Sequence, residues 1–138
     1  MDREQIKNIL PHREPMLLLD EVTENDGIAT GHYKVKGDEY FLQGHFPGNP
    51  IVPGVILCEI LAQSACVLME DALAQGQIPV YTGLDKVKFR RPVKPGDTIE
   101  TTCRIKRAKH PFYFAEGKAT VDGELCVSAD FSFAVTGA

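Results

Sequence analysis

Between residues 55 and 69 the chain is apolar almost without interruption, broken only by Glu59, Gln63, Ser64 and small residues. Pro53 ahead of this run is a favoured first helical residue, and Gly76 with Pro79 supplies a stop. The pattern predicts one helix of about twenty residues, starting at Pro53 and ending near Ala74. A helix that is apolar on nearly every side must be buried on nearly every side. The chain has 138 residues, enough for one domain with one hydrophobic core. A flat sheet covers a single side of a helix, so the sheet must curl around this one or a second copy must help. Small residues at Cys58, Ala62, Ala65, Cys66 and Ala72 let strands approach the helix backbone closely.

The flanking sequence supplies those strands. Asp2 caps a short helix that runs to Leu10, with Ile6, Ile9 and Leu10 on one side, and Pro11 stops it. Residues 16–22 read as a first strand, and residues 28–36 as its partner across the Asn25-Asp26-Gly27 turn. After the long helix, residues 80–91, 98–109, 112–121 and 124–135 follow as an antiparallel meander, with Asp122-Gly123 closing the last hairpin. No repeat or linker divides the chain, so residues 1–138 read as one α+β domain.

Composition excludes some classes of protein. No apolar run reaches the roughly 20 residues of a membrane span. The first residues do not lead into the apolar stretch of a secretory signal, so the cytoplasm is the expected compartment. Cys58 and Cys66 stand about 12 Å apart along the predicted helix, too far to bridge. Cys103 and Cys126 fall in predicted strands, and no pair has the spacing of a zinc site, so reduced, buried thiols are expected. The net charge of −4 conceals one basic region. Lys86, Lys88, Arg90, Arg91, Lys94, Arg104, Lys106, Arg107 and Lys109 face only Asp97 and Glu100 within that window. This points to a local anionic partner rather than to general nucleic-acid binding, although two solvated strand faces would look the same.

The chemistry concentrates in residues 44–63. Pro47, Pro50 and Pro53 fix their own φ and push their neighbours toward extended backbone, so the loop holds its one imidazole, His45, in place. A held imidazole can take or give a proton at cellular pH. His32 sits in a hairpin strand and His110 near a turn, and His12 lies in the stiff Pro11–Pro15 loop, where packing or hydrogen bonding is the expected role. Glu59 is the stronger anomaly, because Ile56, Leu57, Ile60 and Leu61 surround it and buried carboxylates are rare unless paired. Apolar surroundings favour a neutral carboxyl able to donate a proton. A structural pairing with Gln63, one turn on, is the plainer alternative. The helix start at Val52-Pro53-Gly54 has no Ser, Thr, Asp or Asn cap and no acid in its first turn. Its free N–H groups, Gly54 included, could therefore hold an oxygen on which negative charge develops. Base, acid and oxyanion donor together point to proton abstraction beside a carbonyl, followed by loss of a leaving group.

These residues also resemble a known family. The run Gly44-His-Phe-Pro-Gly-Asn-Pro-Ile-Val-Pro-Gly-Val, with Glu59 fourteen residues after His45 and then Ala62-Gln63, is similar to the signature of (3R)-hydroxyacyl-[acyl-carrier-protein] dehydratases of type II fatty acid synthesis. Leu10-Pro-His-Arg-Glu-Pro-Met-Leu-Leu-Leu-Asp20, Lys86-Val-Lys-Phe-Arg-Arg-Pro-Val-Lys-Pro-Gly-Asp97 and Val121-Asp-Gly123 extend the resemblance over nearly the whole chain. It implies a hot-dog fold, a curved antiparallel sheet wrapped on one central helix. It also implies dimers, commonly trimers of dimers, with His45 of one subunit facing Glu59 of the other. His45 would take the α-proton of a 3-hydroxyacyl thioester and Glu59 would assist loss of the hydroxyl. Gly54 N–H would polarise the thioester carbonyl and Gln63 would orient Glu59. No metal, nicotinamide or flavin is implied.

The implied partner is acidic acyl-carrier protein, a match for Lys86, Lys88, Arg90, Arg91, Arg104, Lys106 and Arg107. Glu59, where the isomerising branch typically has Asp, points to a branch that mainly dehydrates. Glu14, Met16 and the 110–114 segment depart from the family pattern and leave chain-length preference open. A thioesterase or isomerase on the same fold, or a silent acyl-binding subunit, are the alternatives. The proline-pinned histidine argues against hydrolysis, and retention of His45, Gly54, Glu59 and Gln63 argues against silence.

Overall fold

Two-residue turns built on positive φ organise the hairpins, as seen in a computed structural model that describes residues 1–137. Asp26 and Gly27, with φ of 52° and 77°, join strand β1 (Glu21–Asn25) to β2 (Ile28–Lys34). Asp122 and Gly123, with φ of 51° and 80°, join β5 (Phe112–Val121) to β6 (Glu124–Thr136). Positive φ at both central residues matches the twist of the paired strands, which is why Asp-Gly serves here. Strands β3 (Ile78–Phe89) and β4 (Thr98–Lys109) complete one six-stranded sheet with order β1-β2-β4-β5-β6-β3, antiparallel throughout. Helix α2 (Gly54–Cys66) lies against β2, β4, β5 and β6. This is the hot-dog fold.

The strand after α2 is not the first rung of a plain meander. β3 pairs with β6 and forms the far edge of the sheet. The connection to β4 passes the head of α2, where Val93 C=O accepts from Val52 N–H at 2.8 Å. The first strand also starts later than its leucines predict. Leu17, Leu18 and Leu19 are all buried, which an alternating strand with one buried face cannot achieve. Side chains hold their backbone instead. Arg3 donates to Leu17 C=O and Leu19 C=O, both at 2.9 Å, and Gln63 bonds Met16 C=O and Leu18 N–H. Helix α1 (Arg3–Ile6) is a single turn rather than a helix to Leu10, closed by reciprocal Asp2–Gln5 capping.

The long helix is shorter than its pattern predicts. Pro53 is its N-cap rather than its first residue, and after Cys66 the chain tightens into a 3₁₀ turn, Val67–Met69, short of Ala74. From Leu57 to Cys66 every residue but Glu59 is buried. The face bearing Val55 (73% exposed) and Glu59 stays open in the single chain, while the sheet covers the rest of the helix. Elsewhere helix and sheet are close enough for Cys103 Sγ to donate to Leu61 C=O at 3.4 Å. All four cysteines are free and buried. Burial pushes the Cys103 thiol up to about 12 and also raises those of Cys58, Cys66 and Cys126.

Gly31 on β2 marks a close approach of the sheet to α2. Its N–H donates to Thr101 Oγ1 at 3.1 Å, and Thr101 shares a 2.6 Å hydrogen bond with Ser64 of α2. A Cβ on Gly31 would stand 2.7 Å from Thr101 Oγ1 and 2.8 Å from Ser64 Oγ. Gly31→Ala is therefore expected to destabilise the protein by about 1–3 kcal/mol, read from its denaturation midpoint. A midpoint equal to wild type would contradict this packing of helix on sheet.

Candidate active site

The proline-pinned loop holds His45 through both backbone and ring. His45 N–H donates to Leu42 C=O, and His45 C=O accepts from Ile51 N–H at 2.8 Å. His45 Nδ1 lies 2.9 Å from Ile51 C=O. A carbonyl only accepts, so the hydrogen-bond network assigns the ring proton to Nδ1. Nε2 then carries a free lone pair. Phe46 stacks on the imidazole at 4.0 Å between centroids, while its own N–H and C=O are paired with Asn49. The loop turns at Gly48, where φ is +73°.

Glu59 projects from the first half of α2 with its side chain 23% exposed. Gln63, one turn on and fully buried, donates to Glu59 Oε2 at 3.0 Å. The same amide donates to Met16 C=O at 2.7 Å, and its oxygen accepts from Leu18 N–H at 2.8 Å. Gln63 is thus locked by backbone on one side and presents an N–H to the carboxylate on the other. Glu59 Oε1 makes no hydrogen bond or ion pair among the described residues. Tyr81 is no competing proton source. Its hydroxyl donates to Cys58 C=O at 2.7 Å, and burial raises it well above the ordinary phenol range.

Gly54 is the first residue of α2, whose first turn has no side-chain cap and no acid. Phe89 of β3 rests on it, so a Cβ there would lie 2.8 Å from the Phe89 ring. The bare glycine lets the end of the sheet reach the positive end of the helix. No hydrogen bond or ion pair joins His45 to Glu59 within the chain among the described residues. The fold therefore groups Glu59 with Gln63 and leaves His45 on its own anchored loop.

The expected packing or hydrogen-bonding role of His12 did not include a contact with Glu59. The His12 Nε2 stands 3.4 Å from Glu59 Oε2. The signal was available, since Pro11 and Pro15 bracket His12 much as Pro47 and Pro50 pin the loop after His45. Glu14 and Met16 serve the same loop. Glu14 pairs with Arg3 and Lys7, both at 3.1 Å. Its own backbone amide, then Lys7 and Arg3, hold its carboxyl down at about 2. Met16 Sδ accepts from Tyr40 Oη at 2.7 Å.

The basic region separates into bound and free cations. Lys86 and Lys106 both reach Asp130, Arg104 pairs with Glu116, and Arg107 lies over the Phe114 ring. Arg91 donates to Val121 C=O and reaches Glu124. Lys88 and Arg90 have no side-chain partner among the described residues, and they flank Phe89 beside Gly54. Lys86, Lys88, Arg104 and Lys118 also rim an open hollow of about 500 Å³ on the sheet, shared with Glu116 and Asp130.

Known proteins match this chain along its length. The FabA-like domain family covers residues 10–130. A 3-hydroxyacyl-[acyl-carrier-protein] dehydratase FabZ from Staphylococcus haemolyticus is 41% identical over 99% of this chain and 97% of its own length. The protein of the same name from Oleidesulfovibrio alaskensis is 43% identical over 98% of this chain and 91% of its own. Among solved structures, the dehydratase heterocomplex ApeI:P from Xenorhabdus doucetiae superposes with a TM-score of 0.83 at 20% identity, over 96% of this chain and 91% of that one. The PaaI protein of Escherichia coli gives 0.63 at 16% identity, over 83% and 81% of the two chains. At these identities the two structures establish the fold alone. Family match and full-length relatives agree, and the chain belongs to the FabA-like family, among the 3-hydroxyacyl-[acyl-carrier-protein] dehydratases.

Proposed function

We propose that this protein removes water from (3R)-3-hydroxyacyl thioesters on acyl-carrier protein and yields the trans-2-enoyl thioester. The observation that carries the reading is the pair of prepared groups. His45 has Nδ1 tied to Ile51 C=O and Nε2 free as a base, and Glu59 has Oε2 tied to Gln63 and Oε1 free as an acid. His45 Nε2 takes the α-proton, and the C–H electron pair becomes the new double bond. The bond from C3 to oxygen breaks, and Glu59 Oε1 protonates the departing hydroxyl to water. The proton held by His45 then returns to Glu59. Gly54 N–H, at the positive end of α2, polarises the thioester carbonyl while the α-carbon bears negative charge. The reaction needs no cofactor.

A second copy of the chain completes the site. His45 and Glu59 do not meet within one chain, and the open face of α2 carries Val55 beside Glu59. β3 is an edge strand whose Leu84 and Phe89 are about half exposed, and Phe46 next to His45 is 51% exposed. An unprotected edge with apolar side chains invites pairing with another chain. A symmetric dimer would bring His45 of one copy to Glu59 of the other, and three dimers would form the larger assembly.

Incubation with a 3-hydroxyacyl thioester, following enoyl absorbance and free thiol together, tests the reaction. Enoyl product without thiol release is expected. Thiol release without enoyl product would make the protein a thioesterase, and no turnover would leave an acyl-binding role.

Carrier docking rests on Lys88 and Arg90, the free cations beside Gly54, rather than on the whole basic region. Charge reversal at both is expected to raise KM for the carrier-bound substrate by about one order of magnitude at low salt. KM for a short thioester mimic should stay unchanged. Equal effects on both substrates would contradict docking.

A further inference from the structure

We propose that His12 is a positioning residue of the dehydratase site: with Gln63 it engages Glu59 Oε2 and so assigns proton donation to Oε1. The inference rests on the dehydratase reading given above and concerns a residue outside the His45–Glu59 pair. His12 Nε2 lies 3.4 Å from Glu59 Oε2, the oxygen that already accepts from Gln63 Nε2 at 3.0 Å. His12 Nδ1 is buried and has no hydrogen-bond partner among the described residues. A proton on Nδ1 would be buried unpaired, so the network places it on Nε2, which then donates toward the carboxylate. At 3.4 Å the contact is an ion-pair approach of Nε2 to the carboxylate, beside the formed hydrogen bond from Gln63.

Two N–H donors aimed at one oxygen decide what the other can do. In the neutral acid, Oε2 serves as the carbonyl oxygen that accepts both donors, and the proton sits on Oε1. When Oε1 gives that proton to the leaving hydroxyl, charge develops on a carboxylate that Gln63 already holds and that His12 Nε2 faces. The loop is built to keep His12 there. Arg13 Nη1 donates to Leu10 C=O at 2.9 Å and His12 C=O at 2.7 Å, and Nη2 reaches Lys7 C=O at 3.2 Å. These bonds involve backbone rather than the imidazole, so they survive replacement of the His12 side chain.

The test compares three variants by steady-state kinetics and thermal melting. His12→Ala is expected to lower kcat by about 10- to 100-fold with KM nearly unchanged. His12→Gln, which can place an amide N–H where Nε2 stood, should recover most of that loss. His12→Asn, whose amide matches the position of Nδ1, should not. All three should melt close to wild type. A wild-type kcat in His12→Ala would overturn the proposal, as would equal recovery by Asn and Gln. If the wild-type protein itself formed no enoyl product, the dehydratase reading would fall, and this inference with it.

Discussion

Replacing His45 with alanine is expected to lower kcat for dehydration by about 10²- to 10⁴-fold, the range a positioned general base contributes. The effect should fall on kcat and kcat/KM alike, because the imidazole acts on the proton in transit rather than on the bound thioester. Stability should scarcely change, with a Tm shift of no more than about 3 °C. The physical reason is that the loop's own bonds, His45 N–H to Leu42 C=O and Ile51 N–H to His45 C=O, are made by backbone and remain in the variant. What is lost is the Nδ1 contact to Ile51 C=O and the stack with Phe46, both at a half-buried position. Steady-state kinetics alongside a thermal melt check both halves. Retained activity, or a large loss of stability, would mean that His45 is a structural histidine.

Glu59→Gln is the second substitution with a large expected effect, again about 10²- to 10⁴-fold in kcat. The amide keeps the shape of the carboxyl. Its oxygen can occupy the Oε2 position and accept from Gln63 Nε2, leaving its NH₂ at the Oε1 position. Folding is therefore preserved, while the group facing the substrate can donate a hydrogen bond but cannot surrender a proton. Substrate affinity should stay near wild type, so the loss appears in kcat rather than KM. Binding of a non-hydrolysable 3-hydroxyacyl analogue, measured calorimetrically, separates the two. Weakened binding with unchanged kcat would make Glu59 a binding group and not the acid.

Much of this was legible in the residues because the determinants are local. Pro47, Pro50 and Pro53 act on their own backbone, and Gln63 lies one helical turn from Glu59, so the anchored His45 loop and the Glu59–Gln63 contact could be read from spacing. The Asp26-Gly27 and Asp122-Gly123 turns fix hairpins through φ at two residues each. Long-range partners were not legible. Nothing near β3 says that it pairs with β6, some forty residues on, rather than with β4. Residues 16–19 have the branched, apolar composition of a strand, yet their backbone is claimed by Arg3 and Gln63, side chains distant in sequence. The contact of His12 with Glu59 was hidden for the same reason, since it spans forty-seven residues. The pairings of the basic region were hidden in the same way. Its acidic partners Glu116, Glu124 and Asp130 lie on other strands, outside the window in which the charges were counted.

In the proposed dimer one active site takes His45 from one copy and Glu59 from the other. Mixing His45→Ala and Glu59→Ala chains after gentle denaturation and refolding tests it directly. In a symmetric dimer, random pairing makes half the dimers mixed, and each mixed dimer holds one site with both residues intact. Activity should then return to about a quarter of the wild-type value, although neither variant turns over alone. If each site were built within a single chain, the mixture would stay as inactive as its parents, and sharing of the site between copies would be ruled out.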